Sequence, residues 1–565
     1  MGFFDRFTGP KAATETQETK WRGASRVIRS LASWVTSPGS ATSDLPAGEQ
    51  RTLRARSRDA FRSHLIARAA LTRPRTNIVG TGLMCRPAVD HVALGISEEE
   101  AETINTQISS RFVPWAEDPV QCDWEATNDF YGLQSLSLLS AMLSGDVMGL
   151  TPQQERSVGI ASLKVQLIEA DRISNPDDSV DTPSLVDGIV LQNGVPVACW
   201  IRNTHPGDQL TAVNLPKWTR YEMFGGETGR RRVLHVWNDK ERPGQVRGAP
   251  YLAPILEPLV QLQRYGSAEL MAAVVSAMFT VFIEKGNEQF DADGNPIPAF
   301  GEVSQTDTAA APQIALGNGA IVDLAPGEKA NTANPTRPNV NFDPFFVSVV
   351  KQIGAALELP LDELMLHYQS SYSAARAAML QAWRFYTMRR WWLVQQFCQP
   401  VYGLWMDEEV ASGRLNLPGY ADPMKRRAYA RALWIGPSRG AMDEEKEAKA
   451  AKMRIEIGVS NEAIETASMT GEDWATVHAQ RVREIEAKRK SERLDPEKYG
   501  ASVRAGLVTP NLDDEEAFRK TAGLPAANNA VRSAWDEDKG VRRPITLQAD
   551  SPPATQPGTT KENES

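Results

Sequence analysis

From Ser370 to Trp405 the chain runs without an Asp or a Glu, although its formal net charge is −9. The same stretch carries Arg376, Arg384, Arg389 and Arg390, and eight aromatic rings follow Tyr372. Met379, Trp383, Tyr386, Leu393, Phe397, Val401 and Leu404 recur mostly at three- and four-residue steps, the spacing of one face of a helix. One long helix, residues 374–412, with an apolar seam and a basic flank is therefore expected. Spacing alone leaves two roles open for it: a helix that packs on neighbours and faces a polyanion, or a core helix with solvated arginines.

At 565 residues the chain is long enough for three to four pieces of about 150 residues, or for one elongated subunit of several parts. A charged fraction of 24% and a sequence pI near 5.5 exclude a general nucleic-acid coat, so any DNA contact must be local. Cys85, Cys122, Cys199 and Cys398 are scattered, with no CxxC pair and no histidine at ligand spacing. Neither a disulfide framework nor a metal site is encoded, and no cofactor is expected. The first twenty residues lack the pattern of a secretory signal, which suggests a cytoplasmic chain. The longest apolar run, Met271 to Ile283, is too short to span a bilayer about 30 Å thick.

Along the chain, residues 1–50 read as a mobile arm rich in Ser, Thr, Gly and Pro. A helix follows from Arg51, with Leu53, Ala60, Phe61, His64, Leu65 and Ala69 on its packed face, ended by Pro74, Gly80 and Gly82. Two helices are expected over 100–145, and short alternating runs over 163–240 predict a small β-rich module. Asn193-Gly194 marks a hairpin there, because a type I′ turn needs positive φ at both positions. A helix over about 251–286 leads into the segment 287–344, where eight acids face only Lys329 and Arg337. That segment reads as a loop-rich insertion with a few strands such as AIVDL. A second helix, about 344–360, and the long basic helix follow. A charge-laced helical block then runs from Met442 to Arg493, with Ser460 and Thr470 at N-cap positions, and a tail poor in core-forming residues ends the chain. The fold class is α+β, mostly helical.

The motifs argue against catalysis. No GxxxxGK[ST] loop is present to cradle ATP phosphates. Gly436-Pro437-Ser438-Arg439-Gly440 satisfies GxSxG, yet a proline precedes the serine and no helix-forming run begins there. Ser348 and Lys351 match SxxK without the accompanying SDN and KTG elements. His205 and His235 are expected to satisfy backbone groups in turns or strands.

The order RSRDAFRSHLIARAA, NIVGTGL, CDWEATNDFYGLQ, LIEADRI, HPGD, RPGQVRGAPYLAPIL, LAPGE, YSAARAAMLQAWR and FCQPVY resembles the lambda-type portal proteins of tailed bacteriophages, colinearly from about Arg51 to Lys488. Two departures occur: Ser371-Tyr372-Ser373-Ala374 stands where the family usually has Asn-Tyr-Ser-Ser, and Asp443-Glu444 where it commonly has Asp-Pro. The resemblance implies a homododecameric ring at one capsid vertex of the virion, assembled in the host cytoplasm. Through it double-stranded DNA is packaged and ejected without sequence preference. It further implies a wing (51–250), stem helices (251–286 and 344–360), a clip (287–343), a tunnel loop (361–373) and a crown within 413–495, with 496–565 a largely disordered tail. The implied partners are the terminase large subunit, a head-tail adaptor, and the major capsid and scaffold proteins, with no membrane.

For DNA to slide, the bore must avoid lysines and arginines that trap phosphates by counterion release. Gln369, Ser370, Ser371, Tyr372 and Ser373 supply neutral contacts and are expected at the narrowest ring. Arg376, Arg384, Arg389 and Arg390 are expected in intersubunit salt bridges, and Asp291, Asp293 and Glu302 on a partner-docking clip. The rival readings are a serine hydrolase or maturation protease, which needs a base beside Ser438, and a DNA-binding regulator, which needs a reader motif that the basic stretch up to Arg75 lacks.

Overall fold

The computed structural model describes residues 28–494 apart from 32, 35, 37–38, 157–158, 209–216, 279–281, 286–327, 332–338, 340, 369–370 and 441–442, together with most of 512–533. The chain divides into two units, Met1–Trp434 and Ile435–Ser565. The first unit is α+β and mostly helical. Helices α1 (Ala47–Ser63) and α2 (Leu65–Ile78) open it, followed by strand β1 (Met84–Pro87) and the one-turn α3 (His91–Leu94). Helix α4 (Glu98–Glu117) starts in a capping box, in which Ser97 Oγ accepts from the Glu100 amide and Glu100 accepts from the Ser97 amide. The short α5 (Pro119–Cys122) and then α6 (Phe130–Ser144) follow. Phe112, Trp115 and Phe130 from α4 and α6 form the aromatic centre of the main core.

The packed face of the first helices differs from the one expected. The buried residues of α1 are Gln50, Arg54, Ser57 and Ala60, and the chain is extended at His64, which splits one helix into two and changes its phase. Leu65 is consequently exposed, and Pro74 lies buried inside α2 rather than ending it. The guanidinium of Arg54 sets the buried face instead, held by the Ser144 and Ala170 carbonyls and by Asp146.

Strands β2 (Asp146–Leu150), β3 (Gln166–Ile168) and β8 (Val233–Trp237) form one antiparallel sheet in the order β3-β2-β8. Strands β4 (Leu185–Val186), β5 (Ile189–Gln192), β6 (Val195–Arg202) and β7 (Trp218–Glu222) form a second in sequence order. The β5–β6 hairpin turns at Asn193 (φ 52°) and Gly194 (φ 78°), both positive as a type I′ turn demands. Met148, Ile168, Ile189, Cys199 and Ile201 give this module a core of its own. Cys122, Cys199 and Cys398 are buried free thiols, and Cys85 is half-buried.

Helix α7 (Leu256–Met278) follows a 3-10 turn and gives way to strand β9 (Phe282–Lys285), so the expected helix to 286 is shorter and ends in sheet. β9 pairs antiparallel with β10 (Glu328–Asn331), Lys285 opposite Glu328, and the acidic segment lies between them. Helix α8 (Phe342–Ala356) replaces the expected 344–360. It stops early because the Leu357 and Leu359 amides both turn back to the Gly354 carbonyl. Helix α9 (Leu361–Met365) precedes the long helical run α10 (Tyr372–Leu393) and α11 (Gln399–Ala411), and α12 (Pro423–Tyr429) follows.

In the second unit, α13 (Glu444–Glu456), α14 (Glu462–Thr470) and α15 (Trp474–Leu494) form the helical block. Its caps are Asp443 and Asn461 rather than Ser460, and Thr470 is the last residue of α14. No helix begins at Ser438. No helix among the described residues is long and apolar enough to cross a membrane.

Candidate functional site

The long basic run is continuous but not uniform. Between α10 and α11 it widens into a π turn at Val394–Cys398, where the Gln399 amide donates to the Val394 carbonyl five residues back. Pro400 supplies the cause, since it has no amide hydrogen and its ring crowds the carbonyl four residues before it. Downstream of Gln381 the run is core. Phe385, Tyr386 and Leu393 are buried, Gln396 Oε1 accepts from the Trp237 amide of β8, and Tyr402 and Trp405 close on Phe112. Upstream it is bare: none of residues 371–381 is buried.

The four arginines fall into two pairs. Arg389 is buried within its own subunit, where Nη1 donates to the Asn238 carbonyl and Nη2 to Asp239 at 3.3 Å. The rings of Tyr251, Phe385 and Trp392 surround its guanidinium at 5.8, 5.2 and 4.5 Å. Arg390 donates to the Asn77 and Ile78 carbonyls at 2.9 and 3.0 Å and stacks on Trp383. The expected intersubunit role is therefore corrected for these two: burial pushes the Arg389 pKa down and the Arg390 pKa down to about 10, and their partners are internal. Arg376 and Arg384 are exposed and make no ion pair among the described residues.

The expected tunnel loop, 361–373, is helical over α9, and Leu364 packs into the core. Glu363 Oε1 accepts two hydrogen bonds, from Tyr386 Oη at 2.6 Å and from Asn77 Nδ2 at 2.8 Å. Burial pushes the Glu363 carboxyl up, opposed by the Tyr386 hydrogen bond and by Arg73. Leu366 then adopts φ 51°, in the left-handed region, and turns the chain out of the core. Tyr368 and Tyr372 are exposed, and Ser371 and Ser373 are exposed with their hydroxyls 3.3 Å apart. Gln369 and Ser370 lie outside the described residues, as do Asp291, Asp293, Glu302 and the AIVDL run.

Helices α7 and α8 pack through Tyr265, which stacks on Phe342 at 5.4 Å and meets Phe345 edge-on at 4.9 Å. On α7, Pro258, Leu262, Tyr265 and Glu269 share the face toward α8. Val260, Met271 and Val274 lie roughly 200° away around the helix, at about 100° per residue, with Leu270 beside them. Leu270 and Met271 are 68% and 63% exposed, and no described residue from Gln263 to Val274 is buried. The isolated subunit thus leaves an apolar back on α7 uncovered.

A buried ionic cluster, which sequence reading did not find, fixes the frame behind this region. Asp146 Oδ2 accepts from Arg247 Nε at 2.7 Å, His235 Nε2 at 3.1 Å and the Gly248 amide at 3.1 Å. Oδ1 accepts from Arg247 Nη2 at 3.0 Å and from Arg54 at 3.5 Å. Arg247 also bonds Asp187 at 2.9 Å. Burial alone would raise the Asp146 pKa, but Arg247, His235 and Arg54 hold it well below the carboxylate range. Burial and the Arg247 charge lower Arg54 to about 10. His235 bonds a carboxylate here rather than the expected backbone group. Gly145 and Gly248 let the two backbones touch: a Cβ on Gly248 would sit 2.0 Å from the Gly145 carbonyl oxygen.

Glu169, Asp171 and His205 place three ligand atoms together. Arg58 already pairs with Asp171, and the Gly207 amide donates to His205 Nδ1 at 3.0 Å. A neutral imidazole that accepts at Nδ1 carries its proton on Nε2, the nitrogen facing both carboxylates, so no lone pair points at a cation. The group is an ion-pair network.

Residues 28–390 match the family model described as phage portal protein, lambda family. Portal protein B of Escherichia phage lambda is 26% identical over 491 residues, 83% of this chain and 89% of that protein. The portal protein of Escherichia phage N15 is 26% identical over 489 residues, 82% and 89% of the two chains. Among solved structures, a chain from the neck of the native GTA particle computed with C12 symmetry is similar over 75% of this chain and 94% of its own, at a TM-score of 0.39 and 11% identity. The chain belongs to the lambda family of phage portal proteins.

Proposed function

We propose that copies of this chain close into a ring, about twelve subunits around, at the capsid vertex of the virion, and that double-stranded DNA passes along its axis during packaging and ejection. The observation that carries this reading is the uncovered apolar back of α7 together with the bare first turns of α10. Each large apolar side chain moved from water into a contact contributes about 1.5–3 kcal/mol, so two such faces favour association of copies strongly. A contact between two different faces repeats, and it closes when the rotation allows.

On this reading α7 and α8 are the stem, and the segment between β9 and β10 is the clip. There Asp291, Asp293 and Glu302 would dock the terminase large subunit and later a head-tail adaptor. The second unit would contribute the crown, and capsid and scaffold proteins would meet the outer surface of the ring. Assembly would take place in the host cytoplasm. Residues 366–373 would line the narrowest part of the bore, where serine and tyrosine hydroxyls exchange weak contacts with passing phosphates and no lysine holds them. Arg376 and Arg384, exposed and without an ion pair among the described residues, would meet acids of the next subunit. No catalytic step is assigned to the chain.

Light scattering with negative-stain imaging of the full chain and of Leu270→Ser/Met271→Ser/Val274→Ser tests this. The wild type is expected as closed rings and the variant as folded smaller species. Wild-type protein that stays monomeric at high concentration, or a variant that assembles as well as wild type, contradicts the reading.

A further inference from the structure

Residues 366–368, after α9, and 371–373, at the start of α10, adjoin two legs that are held very differently. On the α10 side no residue from 371 to 381 is buried, and only Ala375 and Ala378 are half-buried. On the α9 side the chain is gripped three residues before it leaves the core, where Glu363 Oε1 receives Tyr386 Oη and Asn77 Nδ2. Tyr386 lies fourteen residues beyond Tyr372, roughly 21 Å along the helix at 1.5 Å per residue, so its hydroxyl ties α9 to the buried half of α10 rather than to the bare half. Asn77 is held in turn, because Arg390 donates to its carbonyl and to that of Ile78. Three elements, α2, α9 and α10, therefore meet at one oxygen atom.

We propose that Glu363 is a positioning residue: its Oε1 clasps α9 to α2 and to the core half of α10, making α9 the fixed leg from which residues 366–368 leave the core. The functional meaning of this clasp rests on the assignment of 366–373 to the DNA path. The clasp itself rests on the two hydrogen bonds. Because both bonds end on the same oxygen, the clasp needs an acceptor and not a charge. A glutamine keeps that acceptor, an alanine removes it, and phenylalanine at 386 removes one of the two donors without changing the shape of the ring.

Hydrogen exchange of the full chain, resolved to peptides, reads this directly for wild type and for Glu363→Ala, Tyr386→Phe and Glu363→Gln. Loss of one such hydrogen bond opens a local unit roughly fivefold more often, and loss of both more. Exchange of 361–368 is expected to rise by about that factor in Tyr386→Phe and further in Glu363→Ala. It should stay near wild type in Glu363→Gln, with α6 and β2 unchanged in every variant. A merely structural role would spread the change through the core and would not be rescued by glutamine. Wild-type exchange in Glu363→Ala, or exchange in Glu363→Gln as fast as in Glu363→Ala, overturns the proposal. Retention of DNA in filled heads carrying Glu363→Ala separates the two readings. If exchange rises as expected and DNA is still held normally, the clasp stands and the assignment of 366–373 to the DNA path falls.

Discussion

At Asp146 two arginines, a histidine and a backbone amide converge on one fully buried carboxylate, and the residues involved are spread from Arg54 to Gly248. Removing one partner of a buried charge cluster leaves the others uncompensated, which costs about 3–5 kcal/mol. Asp146→Ala is therefore expected to lower the urea midpoint of the first unit sharply, and an unchanged midpoint would show that Arg54 and Arg247 find other partners. This cluster also explains where sequence reasoning failed. Arg247 and Gly248 sit in the RPGQVRGAPYLAPIL run that carried part of the family resemblance, but partners that lie 89 to 102 residues from Asp146 leave no periodic trace. Arg54 is absent from the packed face expected for the first helix, because a buried arginine breaks the apolar pattern that periodicity reads. Among the candidate arginines, Arg389 and Arg390 were misassigned for a related reason: the aromatic residues beside them in sequence form the cage and the stacking ring that hold them inside the subunit.

Helix α10 illustrates what was legible at the level of elements. The seam expected from three- and four-residue spacing holds along the run from Tyr386 onward, where Tyr386, Leu393, Phe397, Val401 and Leu404 are buried, whereas Trp383 is half-buried and Met379 is exposed. The π turn ahead of Pro400 and the short α9 were not visible, the first because it shifts the phase by one residue only, the second because five residues carry too little periodicity. In the second unit the helices have little apolar core to hold them. The only buried residue of α13 is Ala451 and that of α14 is Glu465. Arg454 donates to both oxygens of Glu465, and that hydrogen bonding holds the Glu465 carboxyl down at about 2. An ordinary glutamate titrates near 4.3, so the pair stabilises fully above that value and its contribution disappears as pH falls toward 2. Hydrogen exchange over 444–470, corrected for the intrinsic rate, is expected to lose protection between pH 4.5 and 2. Equal protection across that window would mean that the ion pair does not hold the two helices together.

For the whole molecule, the class was legible because nine short segments occur in the order of one family, while composition alone argued only against a general nucleic-acid coat. The path of DNA through an assembled ring is the claim on which the rest of the functional account depends. Ser373 stands on the first turn of α10, exposed and beside Ser371, and its substitution by cysteine disturbs no buried contact. A photo-crosslinker attached to Ser373→Cys in portals of heads stalled during packaging tests that claim most directly. The account predicts covalent adducts to DNA that appear only in heads with DNA in the channel, whereas crosslinks confined to neighbouring protein would contradict it.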